Sequence, residues 1–378
     1  MANVLILGGG FGGVICAERL AESLSREHHI TLVARDDRFL FYPALVRLAF
    51  GRARLEDISY DLREAMLDAR VRFVQAEVAR VDVEARLVTL ARGEVAGEMS
   101  YDYLVIALGR RLATERVRGF YEYAHHMLTL EAAQRFGHAV KDLHRGHAVI
   151  GYCSGARLAV PAYETAFAVA RELDERGERE HARITLVSPE PPGDALGGPE
   201  MASALKDALA EHRIEFLPDF AITQISPGAV ATEAGRYLNY DLLMLVPPFH
   251  GPGALASTGL TDEEGYVTVD EAMRVRGAAG VYAVGDCVSL PGPKMGHMAV
   301  NQAEVAARNL AAELEGKAPD TEYRHEMMLV VDEGGRDSLY FHKALWDEEA
   351  EPTVRRGRFW SWAKRVHERY WISKSRES

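Results

Sequence analysis

Cysteine is scarce in this chain. Of 378 residues only Cys16, Cys153 and Cys287 are cysteines, and they lie far apart. That excludes a disulfide framework and a zinc site of spaced thiols, and it reads as a reduced, intracellular protein. No Cys-x-x-x-x-Cys occurs, so a disulfide-reductase reaction has no dithiol to use. Long apolar runs are also missing: none reaches the ~18 residues of a membrane span. Met1-Ala2-Asn3 leaves no room for a secretory signal ahead of the first apolar run. Any membrane contact is therefore expected to be peripheral. Basic charge is short as well, and the net charge of -12 argues against a general nucleic-acid binder. What is present, 48% hydrophobic residues over this length, excludes disorder and allows two domains with sizeable cores.

The stretch with the clearest meaning is the first. Val4 to Leu7 reads as a buried strand that runs into Gly8-x-Gly10-x-x-Gly13, and the segment behind it repeats apolar residues at helical spacing. In such a strand, turn and helix, Gly8 lets the backbone turn. Gly10 lets a pyrophosphate approach the main chain, and Gly13 lets the helix pack on the strand. The free N–H groups at the helix start then hold phosphate. The strand His29 to Ala34 continues a βαβ unit, with Ala34 at the strand end where a ribose-binding carboxylate is expected and Arg35 or Asp36 left to compensate.

Val71 to Glu77, Arg86 to Leu90 and Tyr101 to Gly109 read as further strands, and Phe39 to Leu45 as an aromatic loop. A second βαβ unit starts at His147. Its turn carries Gly151, Cys153 and Ala156 where three glycines would hold a second dinucleotide, and a side chain at Cys153 is expected to crowd a pyrophosphate.

The order of these parts, with Gly285-Asp286 after Val281 to Val284, resembles the FAD-dependent pyridine nucleotide-disulfide oxidoreductase superfamily. Pro161-Ala162-Tyr163-Glu164, Ile184 to Pro191 and Val246 to Gly251 are similar to the sulfide:quinone oxidoreductases. Phe39 to Gly51, Leu104 to Gly109 and Pro293 to Gln302 resemble the type II NADH dehydrogenases. The resemblance implies an α/β protein with two Rossmann-like, three-layer dinucleotide-binding domains and a C-terminal membrane-interaction region. The FAD domain would be 1–110 with 265–315, the second domain 111–264, and the C-terminal region 316–378.

The resemblance also implies FAD as cofactor and a quinone as acceptor. The donor would be a small reductant of the sulfide type, with NADH as the alternative and a flavin-holding protein without a donor site as a third reading. The glycine turn (Gly8, Gly10, Phe11, Gly12, Gly13), Arg35, Asp36, Tyr42, Pro43 and Val78 are implied cofactor contacts. So are Ala107, Gly109, Gly285, Lys294 and Met295, with Asp286 on the ribityl chain. His297 and Gln302 are implied on the quinone side. The two redox cysteines of the sulfide enzymes are missing from their usual positions: Leu158 stands at one, and Met327 to Val331 at the other hold no thiol, which leaves Cys153 as a displaced member without an evident partner. Two protons must accompany quinone reduction, so a carboxylate with a raised pKa is useful; the resemblance, which places a glutamate of this helix start near the flavin ring, implies Glu164 as the candidate acid and Lys294 as the candidate cation for an anionic reduced flavin.

The tail changes character. Arg355 to Arg376 holds eight Lys or Arg with Phe359, Trp360, Trp362, Tyr370 and Trp371, and Trp362, Val366 and Tyr370 recur every four residues. An apolar helix stripe beside cations is what an interfacial helix carries. A helix docked on the core or on a dimer partner is the alternative. Deleting residues 355–378 is expected to release the protein from the membrane with its flavin intact.

Overall fold

The computed structural model describes residues 1–373 apart from 192, 336 and 348; the last part of the basic tail, 374–378, lies outside the described residues. The apolar run at the N-terminus forms β1 (Asn3–Leu7), which the glycine turn joins to α1 (Phe11–Ser23). β2 (His29–Ala34), β3 (Arg72–Asp82), β4 (Leu87–Gly93), β5 (Gly97–Ser100) and β6 (Tyr103–Ile106) follow. Together with the late strand Val281–Ala283 they make a seven-stranded sheet. Its strands pair in parallel from Val281–Ala283 through β6, β1 and β2 to β3; β4 and β5 add antiparallel at the edge.

The second βαβ unit is β7 (Gly146–Tyr152), α2 (Val160–Glu175) and β8 (Ala182–Val187). With β9 (Glu215–Leu217) and β10 (Leu242–Val246) these strands form a four-stranded parallel sheet in the order β9-β8-β7-β10. Parallel sheets are covered on both faces, which is why the stretches 4–7, 104–106, 148–150 and 242–246 are unbroken apolar runs and are buried here.

After the late strand, β11 (Val281–Ala283), the chain makes the one-turn helix Gly285–Cys287 and the long α3 (Gly296–Leu314). The C-terminal region builds an antiparallel sheet of β12 (Glu326–Asp332), β13 (Ser338–Ala344) and β14 (Thr353–Arg356), and then α4 (Arg358–Ser373).

Helix α4 has two unlike faces. One face, carrying Ser361, Lys364, Glu368, Trp371 and Ile372, packs inward. Ser361 Oγ meets Ser338 Oγ at 2.6 Å, and Arg47 reaches Glu368 at 2.6 Å. Trp371 stacks on Phe39 with centroids 5.8 Å apart and meets Phe11 edge-on at 5.0 Å. The opposite face leaves Phe359, Trp362, Val366 and Tyr370 exposed, and Arg358, Arg365 and Arg369 are exposed along one flank. Deleting 355–378 would also remove Trp371 from the aromatic cluster that backs the glycine turn, so the cut is expected to damage the first domain along with removing the helix.

Candidate active site

The glycine turn divides its three glycines between structure and space. A methyl group on Gly8 would overlap the Ala107 carbonyl, at a φ of +114°. On Gly13 it would overlap the Gly8 carbonyl oxygen and stand 3.0 Å from its carbon. On Gly10, whose backbone is extended (φ -87°), it would meet nothing within 4 Å. No side chain caps α1 at Gly10, so the helix end offers its N–H groups to an anion. Gly9 and Gly12 are closed off, by Leu62 and Ala34 and by Val284 respectively.

Phe11 turns away from that open space. It is buried against Phe39, Phe41, Tyr42 and Trp371. Arg35 and Asp36 pair with each other at 3.1 Å on the exposed surface beyond Ala34. Val78 is half-buried on β3, where the register with β4 shifts. Ala107 lies under the turn, and Gly109 takes a φ of +69° just past β6.

Asp286 is brought to this end of the sheet by β11. It is buried and ion-paired with Arg110, the residue after Gly109, whose guanidinium lies 4.3 Å from the Phe249 ring centroid and 5.6 Å from that of Tyr42. Arg110 Nε is buried and has no partner among the described residues. Pro43 sits in the turn Tyr42–Ala44 that presents Tyr42. The open Gly10 face, the uncapped α1 N-terminus, the buried carboxylate and the spare guanidinium donor fit a dinucleotide cofactor with a polyol chain.

Lys294 is 4% exposed. It donates to the Val288 carbonyl, and its Nζ lies 4.5 Å from the Tyr266 ring centroid. Burial, and then the nearby Arg157 charge, bring its ammonium down to about 7 against the pull of Asp286. Met295 precedes α3, whose N-terminus no side chain caps. A recess between the Gly285–Cys287 turn, the Leu290–Met295 loop and the start of α3 is lined by Asp286, Lys294, Met298, Gln302 and His325.

Gln302 braces this turn: its Oε1 accepts the Gly285 N–H at 2.7 Å. His297 Nε2 accepts the Met328 N–H at 3.2 Å, and burial lowers its pKa. Both candidates thus line the α3 side of the recess or its neighbouring sheet edge through bonds within the chain.

Glu164 stands in a second cluster. It is buried on α2, ion-paired with Lys364 of α4, and accepts the Asp332 N–H at 2.8 Å. Burial raises its pKa, and Lys364 works against that rise. A buried carboxylate held by a cation from the terminal helix and by a strand N–H is able to keep or pass a proton.

The three cysteines are separated and fully buried. Cys16 faces the Ala303 carbonyl. Cys287 faces the Ile106 and Val284 carbonyls, its thiol pushed up to about 12 by burial. Cys153 packs with Val149, Val187, Phe220 and Leu245, and burial pushes its thiol up to about 12. The crowding expected from Cys153 does not arise, because its side chain points into this apolar cluster. The second turn is altered in another way: stretch 153–159 delays α2, which begins Val160-Pro161 with proline at its first turn.

Sequence reading missed Arg110, Arg157, Tyr266 and Lys364. Arg110 was findable as a charge placed directly after a buried strand and its terminal glycine; Lys364 carries no such signal.

Residues 2–306 match the family described as pyridine nucleotide-disulphide oxidoreductase. The chain is 26% identical to the sulfide-quinone reductase of Aquifex aeolicus, over 99% of this chain and 91% of that protein. The crystal structure of the sulfide:quinone oxidoreductase from that organism superposes with a TM-score of 0.93 at 27% identity, covering 100% of this chain and 92% of the other. The type II NADH:quinone oxidoreductase of Staphylococcus saprophyticus is 23% identical over 91% of this chain and 89% of its own. A 305-residue match that spans both parallel sheets, from β1 into α3, leaves one conclusion: the chain belongs to the pyridine nucleotide-disulphide oxidoreductase family.

Proposed function

We propose that this chain is an FAD-dependent oxidoreductase that passes electrons from a small reductant to a membrane quinone while resting on the membrane surface through α4. The FAD would occupy the domain made by residues 1–110 and 265–315, held at the Gly10 face and by Asp286. The bound flavin supplies two-electron chemistry; the protein supplies position and proton control. Arg110 orients Asp286, and Lys294 places a cation whose charge responds to pH.

The observation that carries the acceptor side is α4. Its inner face delivers Lys364 to the buried Glu164, and its outer face presents four large apolar side chains flanked by arginines. Such a face partitions into the headgroup region and favours anionic lipid. No helix among the described residues is long and apolar enough to cross a membrane, in keeping with a peripheral attachment. Glu164, close to the helix that meets the lipid, is suited to give a proton to a reduced quinone. His297 and Gln302, on α3, are further candidates on the quinone side.

On the donor side, sulfide-type reductants are favoured by the relatives named above. With all three thiols buried and separate, the electrons would enter without a relay of two protein thiols. A hydride from NADH is the second reading, supported by Cys153 leaving the second turn unobstructed and opposed by the delayed, proline-led start of α2. An anaerobic donor screen decides between them. Loss of flavin absorbance with sulfide and not with NADH supports the first, and the reverse supports the second. A flavin that neither donor bleaches returns the chain to a flavin-holding role.

A further inference from the structure

The second parallel sheet sends one side chain across to the loop that carries Lys294. Arg157 lies in stretch 153–159, between β7 and α2. Its guanidinium donates to the Leu290 carbonyl and to the Gly292 carbonyl, the latter at 2.7 Å from Nη2 and 3.1 Å from Nε. In return, the Arg157 carbonyl accepts the Lys294 N–H at 2.7 Å. The two cations share one aromatic ring: Arg157 Cζ and Lys294 Nζ lie 5.3 Å and 4.5 Å from the Tyr266 centroid. Tyr266 is 2% exposed, and its hydroxyl has no partner among the described residues. Other charged or titratable groups face Lys294 from every side. Asp286 and Cys287 come from the turn after β11, Asp262 from the loop before Tyr266, and His325 from the segment before β12. Asp286 is already paired with Arg110, and Asp262 accepts from Ser289.

We propose that Arg157 is a positioning residue: it clamps the Leu290–Lys294 loop and opposes the charge on Lys294, so that Lys294 exchanges a proton with solvent during turnover instead of standing as a permanent cation. Burial and Arg157 together bring the lysine to about 7, where both of its states are populated. When two electrons enter the site, Nζ takes one proton from solvent and forms one N–H bond. When they leave for the acceptor, that bond breaks and the proton returns. The lysine itself is neither oxidised nor reduced.

This inference rests on the flavin reading above. Its test is the midpoint potential of the bound flavin against pH, measured by anaerobic dye equilibration for the wild-type chain, Arg157→Met, Arg157→Lys and Lys294→Met. The wild-type plot is expected to change slope near pH 7. Arg157→Met should move that break alkaline by roughly one pH unit, the effect of removing one nearby like charge. Arg157→Lys should hold it near its wild-type place, and Lys294→Met should abolish it. A break that stays put in Arg157→Met, or survives in Lys294→Met, overturns the proposal. Should Arg157→Met not fold, Arg157→Gln carries the same comparison. A wild-type chain that takes up no FAD fails earlier and separately, at the flavin reading.

Discussion

The glycine turn allows a sharp separation between a residue kept for the fold and one kept for the ligand. Gly10 has an extended backbone that any residue adopts, and a methyl group there would meet no protein atom within 4 Å. In the flavin-free chain Gly10→Ala should therefore leave stability within about 1 kcal/mol of wild type, with a small gain from the stiffer unfolded chain. The same methyl group would occupy the face offered to a pyrophosphate. We expect FAD affinity to fall at least about tenfold, or roughly 1.4 kcal/mol. Gly13→Ala inverts the pattern. Its methyl would overlap the Gly8 carbonyl, a backbone group that cannot rotate away, so the cost falls on folding: at least about 1–3 kcal/mol, as for overpacked cores. Thermal melting of the stripped proteins gives the first quantity, and quenching of flavin fluorescence on titration gives the second. If Gly10→Ala binds FAD as wild type does, or Gly13→Ala melts as wild type does, the division of labour argued for this turn is wrong.

Replacing Lys364 by Met should destabilise the chain by about 3 kcal/mol at pH 8, because it leaves a buried carboxylate unpaired. The sign with pH follows from burial holding Glu164 above the ordinary carboxyl range. Its stabilising contribution is complete at pH values below that range and is lost as pH rises through the raised value. Lys364→Met raises the value further, so its melting temperature should drop more between pH 5 and pH 8 than that of wild type; parallel curves would refute the pairing. Changing Phe359, Trp362, Val366 and Tyr370 together to Ser should abolish sedimentation with anionic vesicles while leaving melting and flavin content unchanged, since all four are exposed; retained binding would remove the interfacial role of α4. The native protein should resist thiol reagents at Cys16, Cys153 and Cys287, and all three should label once it is unfolded. Rapid labelling of any one in the native state would contradict their burial.

The turn at Gly8, Gly10 and Gly13 was legible because its geometry is local: three glycines spaced between an apolar strand and a helix leave few other conformations. The buried strands β1, β2, β6 and β7 were legible for a similar reason, since a strand covered on both faces is largely apolar; β9 and β10 of the second sheet were not read as strands. Pairings between distant segments were not. Arg110 meets Asp286 across 176 residues, and Lys364 meets Glu164 across 200; a single charge on each side carries no mark of its partner. The tail composition showed a stripe and cations but could not say that the same helix has a second, inward face. That face consists mainly of Ser361, Lys364 and Glu368, which look solvated until Ser338, Glu164 and Arg47 are placed opposite them. Cys153 misled for a related reason: its position in the turn was readable, while its burial is shared with Val149 of its own strand and with Val187 and Leu245 on neighbouring strands.

The most direct test of the whole account does not depend on the donor. The FAD-loaded protein, reduced anaerobically with one equivalent of dithionite, is mixed with a short-chain soluble quinone, and the flavin absorbance is followed. The account predicts recovery of the oxidised spectrum with one quinone consumed per flavin; a reduced protein that stays bleached in excess quinone, or a chain that takes up no FAD to begin with, would contradict it.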